Sequence, residues 1–334
     1  MRTVERKGEG FMQQRIRLCA VIAGALFSFA GCGGGTGATG TSPITSGFLP
    51  PQMRTPAEAI IPDGWPKHVK SLLFVSELKH PRIKMYNPTT VNPSPIGSLD
   101  TGLKRPVGLA VDSLGNLFVV DNKTNTVVAY HHGGSKPYFT ITSGMNSPYG
   151  IAIDDAGEVF VSNTGGNAFS IVGYKPGSQT PFETIDFTKF GQPVGLNVDS
   201  HSNLWVAAVN GPVAGGAVYE ILAGTSNVQN AYLNGIGSPI GIALGKKDVT
   251  YVTGLTVSSP PQSYVNIYPY GSKDPSGQIT SGIEYPQLNT VTKSGVFFQT
   301  GLNRVTGYQP GQYTPFSTIS VKEPIGIAAW PRIH

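Results

Sequence analysis

Six residues able to bind a ligand by charge or hydrogen bonding stand immediately before a proline, at intervals of 38 to 47 residues: Arg105, Ser147, Gln192, Ser238, Tyr285 and Glu323. If those prolines open equivalent strands, the six side chains ring one mouth of a channel. A guanidinium, a carboxylate, a phenol, an amide and two hydroxyls on one rim suit recognition of a ligand. Tyr149 and Gln287 follow two of these prolines directly, and Asn289 stands where other copies carry Leu or Ile. The fifth copy is the least regular and most polar, marking either a ligand site or drift at a tolerant position.

Other chemistries find less support. The six histidines (His68, His80, His131, His132, His201 and His334) share no motif, and His131, His132 and His201 read as loop residues. Glu77, Asp121 and Asn163 hold matching offsets in successive repeats, as a polar arc or as solvated loop ends. Asp154-Asp155-Ala156-Gly157 has the start of a calcium loop without the remaining ligands and reads as a turn. Neither a Gly-x-Ser-x-Gly nor a His-Glu-x-x-His motif occurs, nor a phosphate-binding loop.

The elements that position these side chains repeat. The phrase Pro106-Val107-Gly108-Leu109-Ala110-Val111-Asp112 returns at Pro148, Pro193, Pro239 and Pro324, and in degraded form at Pro286. Nine residues after each of the first five prolines comes a turn residue: Gly115, Gly157, Ser202, Asp248 and Gly295. Three residues later comes an aromatic: Phe118, Phe160, Trp205, Tyr251 and Phe298. Each unit therefore opens with a hairpin. A third strand follows, usually ending in Tyr (Thr126–Tyr130, Ser170–Tyr174, Val265–Tyr268, Arg304–Tyr308). A fourth opens on proline (Pro137 to Ile141, Pro181 to Ile185, Pro315 to Ile319), which suits a sheet edge because proline cannot donate to a ladder.

A period in the forties built of short apolar strands predicts an all-β, six-bladed β-propeller of four-stranded blades. Gly and Ala alternate along the innermost strand because neighbouring blades crowd there. The chain ends just after its sixth first strand. The partners of that strand must therefore lie at the other end, in Leu72–Ser76, Arg82–Tyr86 and Ile96–Leu99, closing the ring and removing exposed edges.

Residues 1–32 differ in kind. Arg15 and Arg17 precede the apolar run Leu18 to Ala30, and Phe29-Ala30-Gly31-Cys32 follows. The pattern is that of a secretory signal, with Met1 or Met12 as initiator. The last four residues resemble a bacterial lipobox, which implies cleavage before Cys32 and lipidation there; an ordinary signal or an uncleaved anchor is the alternative. Residues 33–64, rich in Gly, Thr, Ser and Pro, read as a flexible tether, and 65–334 as the propeller. Cys19 and Cys32 are the only cysteines, which leaves the propeller without a disulfide or thiolate metal site. Net charge is +5 overall, but outside the first 31 residues 19 basic face 17 acidic residues. With no basic stripe along the chain, nucleic acid is not expected as a partner.

Gly115-Asn116-Leu117-Phe118-Val119-Val120-Asp121-Asn122, with Asn125 and Val127-Val128-Ala129-Tyr130, resembles the NHL repeat, as does Gly301-Leu302-Asn303-Arg304-Val305. The resemblance spans roughly 65–334 and implies the propeller rather than an activity. Propellers of the regucalcin–gluconolactonase family place metal ligands within a Pro-x-Gly-like phrase. Here the x positions are Val107, Tyr149, Val194, Ile240, Gln287 and Ile325, which offer a divalent ion almost nothing. Propellers similar to streptogramin lyase use channel histidines, which this chain does not carry in its phrases. The expectation is a lipid-anchored envelope propeller without catalytic residues, metal or cofactor, binding a protein, glycan or small ligand. Its candidate mouth residues are Arg105, Tyr149, Gln192, Tyr285, Gln287, Asn289 and Glu323. The alternative is a lactonase- or lyase-like enzyme with an atypical site.

Overall fold

The computed structural model describes residues 65–66, 69–166 and 168–333. The signal, Cys32, the tether, His68 and His334 lie outside the described residues. Twenty-four strands form six four-stranded antiparallel sheets, each a blade. Blade 1 runs Pro106–Val111, Leu117–Asp121, Thr126–Tyr130 and Pro137–Ile141 from axis to rim. Blades 2 to 5 open with Pro148–Ile153, Gln192–Val198, Ser238–Leu244 and Asn289–Val291. Blade 6 joins Pro324–Trp330 to Leu72–Glu77, Arg82–Tyr86 and Gly97–Leu99. The expected closure therefore holds, with Phe74 opposite Ala328 and Val75 opposite Ile327. Each innermost strand packs against the innermost strands of both neighbours, completing the ring.

The repeated phrase has a direct steric cause. A Cβ on Gly108, Gly150, Gly195, Gly241 or Gly326 would collide with the backbone carbonyl of the x residue in the next blade. Glycine is what lets the strands meet at the axis. The turn residues have an equally local cause. Gly115, Gly157, Ser202, Asp248 and Gly295 all take positive φ, from 55° to 94°. Asp112 and Asp199 hold these turns by accepting backbone N–H bonds at 2.8–2.9 Å.

The core lies between blades rather than within them. Leu72, Phe74, Met85, Leu109, Leu117 and Tyr130 form one cluster across blades 6 and 1. Ile171, Phe187, Leu196, Val206 and Tyr219 form another across blades 2 and 3. Each such buried side chain contributes about 1.5–3 kcal/mol. The third-strand tyrosines also pin the connections. Tyr174, Tyr268 and Tyr308 donate their hydroxyls to Ser143, Asn234 and Ser281 carbonyls at 2.6–2.7 Å, and Tyr130 donates to Thr101. Each acceptor lies five residues before its blade's first proline. Two expected rim strands start later than the sequence implied: the strands run Glu183–Asp186 and Ser317–Ser320, so Pro181 and Pro315 precede them. Pro137 alone opens its rim strand.

Candidate functional site at the upper face

The face on which the innermost strands begin is here the upper face, and the face on which they end the lower. Arg105, Gln192, Tyr285 and Glu323 all reach the upper face, one from each of four blades. Arg105 is half-buried and donates to Asn122 at 3.4 Å, while Gln192 donates to the Thr164 carbonyl at 3.4 Å. Tyr285 is 51% exposed. Three residues before the prolines, Ser147, Tyr285 and Glu323, take φ of 45–51°. A bulky residue rarely holds that conformation, so the neighbouring structure must impose it. Asn125 and Asn303, the asparagines of the NHL-like segments, accept from the backbone N–H of Ser147 and Glu323 at 2.8 and 3.2 Å. Each asparagine thereby fixes how the chain enters the next blade.

Tyr149 and Gln287 come together. Blades 2 and 5 lie opposite one another, and the Tyr149 hydroxyl donates to Gln287 Oε1 at 2.9 Å across the axis. Burial raises the Tyr149 hydroxyl above its ordinary range, with the charge of Arg105 opposing, so it remains a protonated donor. This bond bars the upper end of the axis. Beneath it lies an axial cavity of about 110 Å³, walled by Leu109, Ile151, Leu196, Ile242 and Ile327 among others. At the lower end the chain's last described residues cross it. Arg332 donates to the Ile153 carbonyl at 2.8 Å and pairs with Asp155, and Ile333 packs beside blades 4 and 5. No motif in the sequence pointed to Arg332. A register argument could have, since it lies just past the strand that closes the ring.

Asn289 sits inside the ring rather than at the mouth. It is 7% exposed, lines the cavity, and donates to the Tyr251 carbonyl and Thr253 Oγ1 of blade 4 at 3.3 Å. Its direct cross-strand neighbour is Gln299, where other blades carry valine. The row continues through Thr306 to Thr318, polar from axis to rim. Asn289 Oδ1 and Gln299 Oε1 are both buried without a hydrogen-bond partner.

Glu77, Asp121 and Asn163 are buried, so the expectation of solvated loop ends fails. Asp121 accepts from the backbone N–H of Lys104 and of Arg105, the latter at 3.0 Å, and Asn163 accepts from Asn146 N–H at 2.9 Å. Both carbonyl-bearing side chains cap the loop entering their own blade. Glu77 lies under Arg82 at 2.7 Å and Lys84 at 3.2 Å. Burial pushes its carboxyl up, but those two cations win and hold it below the ordinary range. The described histidines do not converge. His80 is 3.8 Å from Glu77, His131 stacks on Tyr138, His132 packs between Trp65 and Trp330, and His201 stacks on Tyr270. Among the described residues no group of three or more His, Cys, Asp or Glu is placed to hold a metal ion.

Comparisons with known proteins agree with this architecture. The NHL repeat model matches residues 103–130, the first three strands of blade 1 and the end of the loop before them. No curated protein sequence matches the chain. Among solved structures, a chain of the nidogen/laminin complex is 16% identical with a TM-score of 0.63, covering 78% of this chain and 98% of that one. A protein of unknown function from Bacteroides caccae is 11% identical with a TM-score of 0.59, covering 78% and 99%. At such identities the likeness is one of fold. This chain is an NHL-repeat-like six-bladed β-propeller.

Proposed function

We propose that this propeller is a binding module, held at the cell envelope by a lipid on Cys32, that presents its upper face to a protein partner. One observation carries the reading: the Tyr149–Gln287 bond bars the axis, so the upper face is a continuous surface instead of an open channel. A substrate would need that bond broken or the Arg332 tail displaced to reach the cavity. Protein partners, by contrast, bind to surfaces with exposed apolar and aromatic anchors. The upper face offers Val213, Val257, Tyr285 and Leu302 on blades 3 to 5, exposed at 42–62%. The structural likeness to a propeller from the nidogen/laminin complex is compatible with such a role.

The double variant Tyr285→Ala/Leu302→Ala tests the reading. After formaldehyde crosslinking in cells, it should lose at least nine-tenths of any protein recovered with the parent chain. Its melting temperature should move by no more than about 2 °C, since exposed substitutions cost little. Unchanged recovery would contradict the proposal. In the same cells Cys32→Ala should move the chain out of the membrane fraction; retention there would remove the lipid anchor from the account.

A further inference from the structure

We infer that the partner of the upper face is an acidic protein segment, recognised by a cationic sector on blades 6 and 1. This rests on the binding reading and specifies its chemistry. The upper-face loops of these two blades carry Lys79, His80, Lys104, Lys123 and Lys322, all exposed, beside the half-buried Arg105. Of these, His80 lies 3.8 Å from Glu77, while among the described residues Lys79, Lys104 and Lys123 form no ion pair with an acid. Glu77 is buried beneath Arg82 and Lys84, and Asp121 is buried and spends its carboxylate on backbone N–H groups. Asp100 and Glu323 are the acids exposed there.

The upper-face loops of blades 2 to 5 are different. Between residues 142 and 303 they hold Lys189 and Glu284 as their charged groups, and Glu284 pairs with Arg304 at 2.7 Å. Cationic charge is thus concentrated in one third of the ring, with Lys189 the exposed cation outside it, and the apolar anchors lie on blades 3 to 5. Within each of the two blades the loops of the sector are joined by backbone hydrogen bonds. Leu78 N–H donates to the Glu323 carbonyl at 3.3 Å and Asn122 N–H to the Arg105 carbonyl at 3.0 Å.

Such a face favours a partner with carboxylates over one part and apolar side chains over the other. Acidic protein segments combine these; a nucleic acid offers negative charge without matching the apolar half, and preference for an anionic bilayer is an outcome of the test below. Complementary charge at a rim speeds and orients docking, and salt weakens it over a Debye length of about 8 Å at physiological ionic strength.

Fluorescence anisotropy on the full chain with a labelled octaglutamate peptide tests this. Binding should be measurable at low salt. It should weaken at least tenfold in Lys79→Glu/Lys104→Glu/Lys123→Glu, and by a smaller factor in the corresponding Lys→Gln variant, should the reversal disturb folding. Lys246→Glu/Lys247→Glu on the lower face should leave it within twofold. Three outcomes would overturn the inference: no peptide binding, equal losses from both faces, or tighter binding to phosphatidylglycerol vesicles or single-stranded RNA than to the peptide. None would touch the binding reading itself, which the Tyr285 and Leu302 substitutions test from the apolar half.

Discussion

Gly326→Ala should destabilise the propeller by about 4 kcal/mol, the range reserved for substitutions that force backbone apart in a packed core. The added Cβ would overlap the Val107 carbonyl oxygen and lie 2.9 Å from its carbon and 3.0 Å from the Leu109 side chain. Neither obstacle is the free end of a flexible side chain. Gly326 belongs to the strand that closes the ring, so relief would require blades 6 and 1 to separate. The seam between them is further tied by Ser76, whose hydroxyl donates to the Val107 carbonyl at 3.1 Å and accepts from Gly326 N–H at 2.7 Å. Thermal unfolding should show a midpoint lower by roughly 10 °C, at 2–4 °C per kcal/mol for a domain of this size. A fall of under about 2 °C would mean that the two blades are not in this contact. Blade 5 shows how the rule is relaxed. Leu288 stands at the glycine position, and there Thr300 bridges the Leu288 and Ile325 carbonyls at 2.9 and 2.7 Å.

Asn289→Leu combined with Gln299→Leu should raise stability by about 2 kcal/mol, or roughly 5 °C in the melting midpoint. An acceptor buried without a partner costs about 1–3 kcal/mol, and this row has two, adjacent across one strand pair. The bonds given up at Asn289 are long, 3.3 Å each, and Thr253 keeps its contacts with Gly241 and the Gln287 carbonyl. Gln299 surrenders a 2.7 Å bond to Thr306, which limits the gain. Leucine is chosen because it shares the branching of asparagine and approaches glutamine in size, and at position 289 its extra bulk can enter the axial cavity. A fall in the midpoint would show that the polar row repays its burial and belongs to the protein's function. A rise would mark it as drift within an otherwise apolar repeat.

Much of the architecture was legible because it rests on short-range rules. Glycine at the crowded axis, a left-handed turn residue nine positions on and an aromatic three further identify a blade without any long-range knowledge. Ring closure followed from counting first strands against complete blades. The rim was less legible. Pro181 and Pro315 promised strand starts that begin two residues later, because outermost strands have one neighbour and their ends respond weakly to sequence.

The site was legible only in part. Arg105, Gln192, Tyr285 and Glu323 reach the expected face because strand starts alone place them. The Tyr149–Gln287 bond was not foreseeable, since 138 residues separate its partners and it depends on blades 2 and 5 being opposite. The cationic sector escaped notice for a related reason. Its lysines come from 79, 104, 123 and 322, and no stretch of chain looks basic. Glu77, Asp121 and Asn163 read as a polar arc or as solvated loop ends because they end strands, yet all three are buried: Asp121 and Asn163 hold the loops entering their blades, and Glu77 pairs with Arg82 and Lys84.

The central claim is that the upper face, rather than the axial cavity or the lower face, meets the partner. Photo-crosslinking in living cells tests it most directly, with benzoylphenylalanine at Val257 on the upper face and, separately, at Tyr270 on the lower. Both positions are about 60% exposed, 62% and 59%, so reach is matched. A discrete protein adduct from position 257, absent from position 270, is the result expected. An adduct from 270 alone, or from neither position, would contradict the claim.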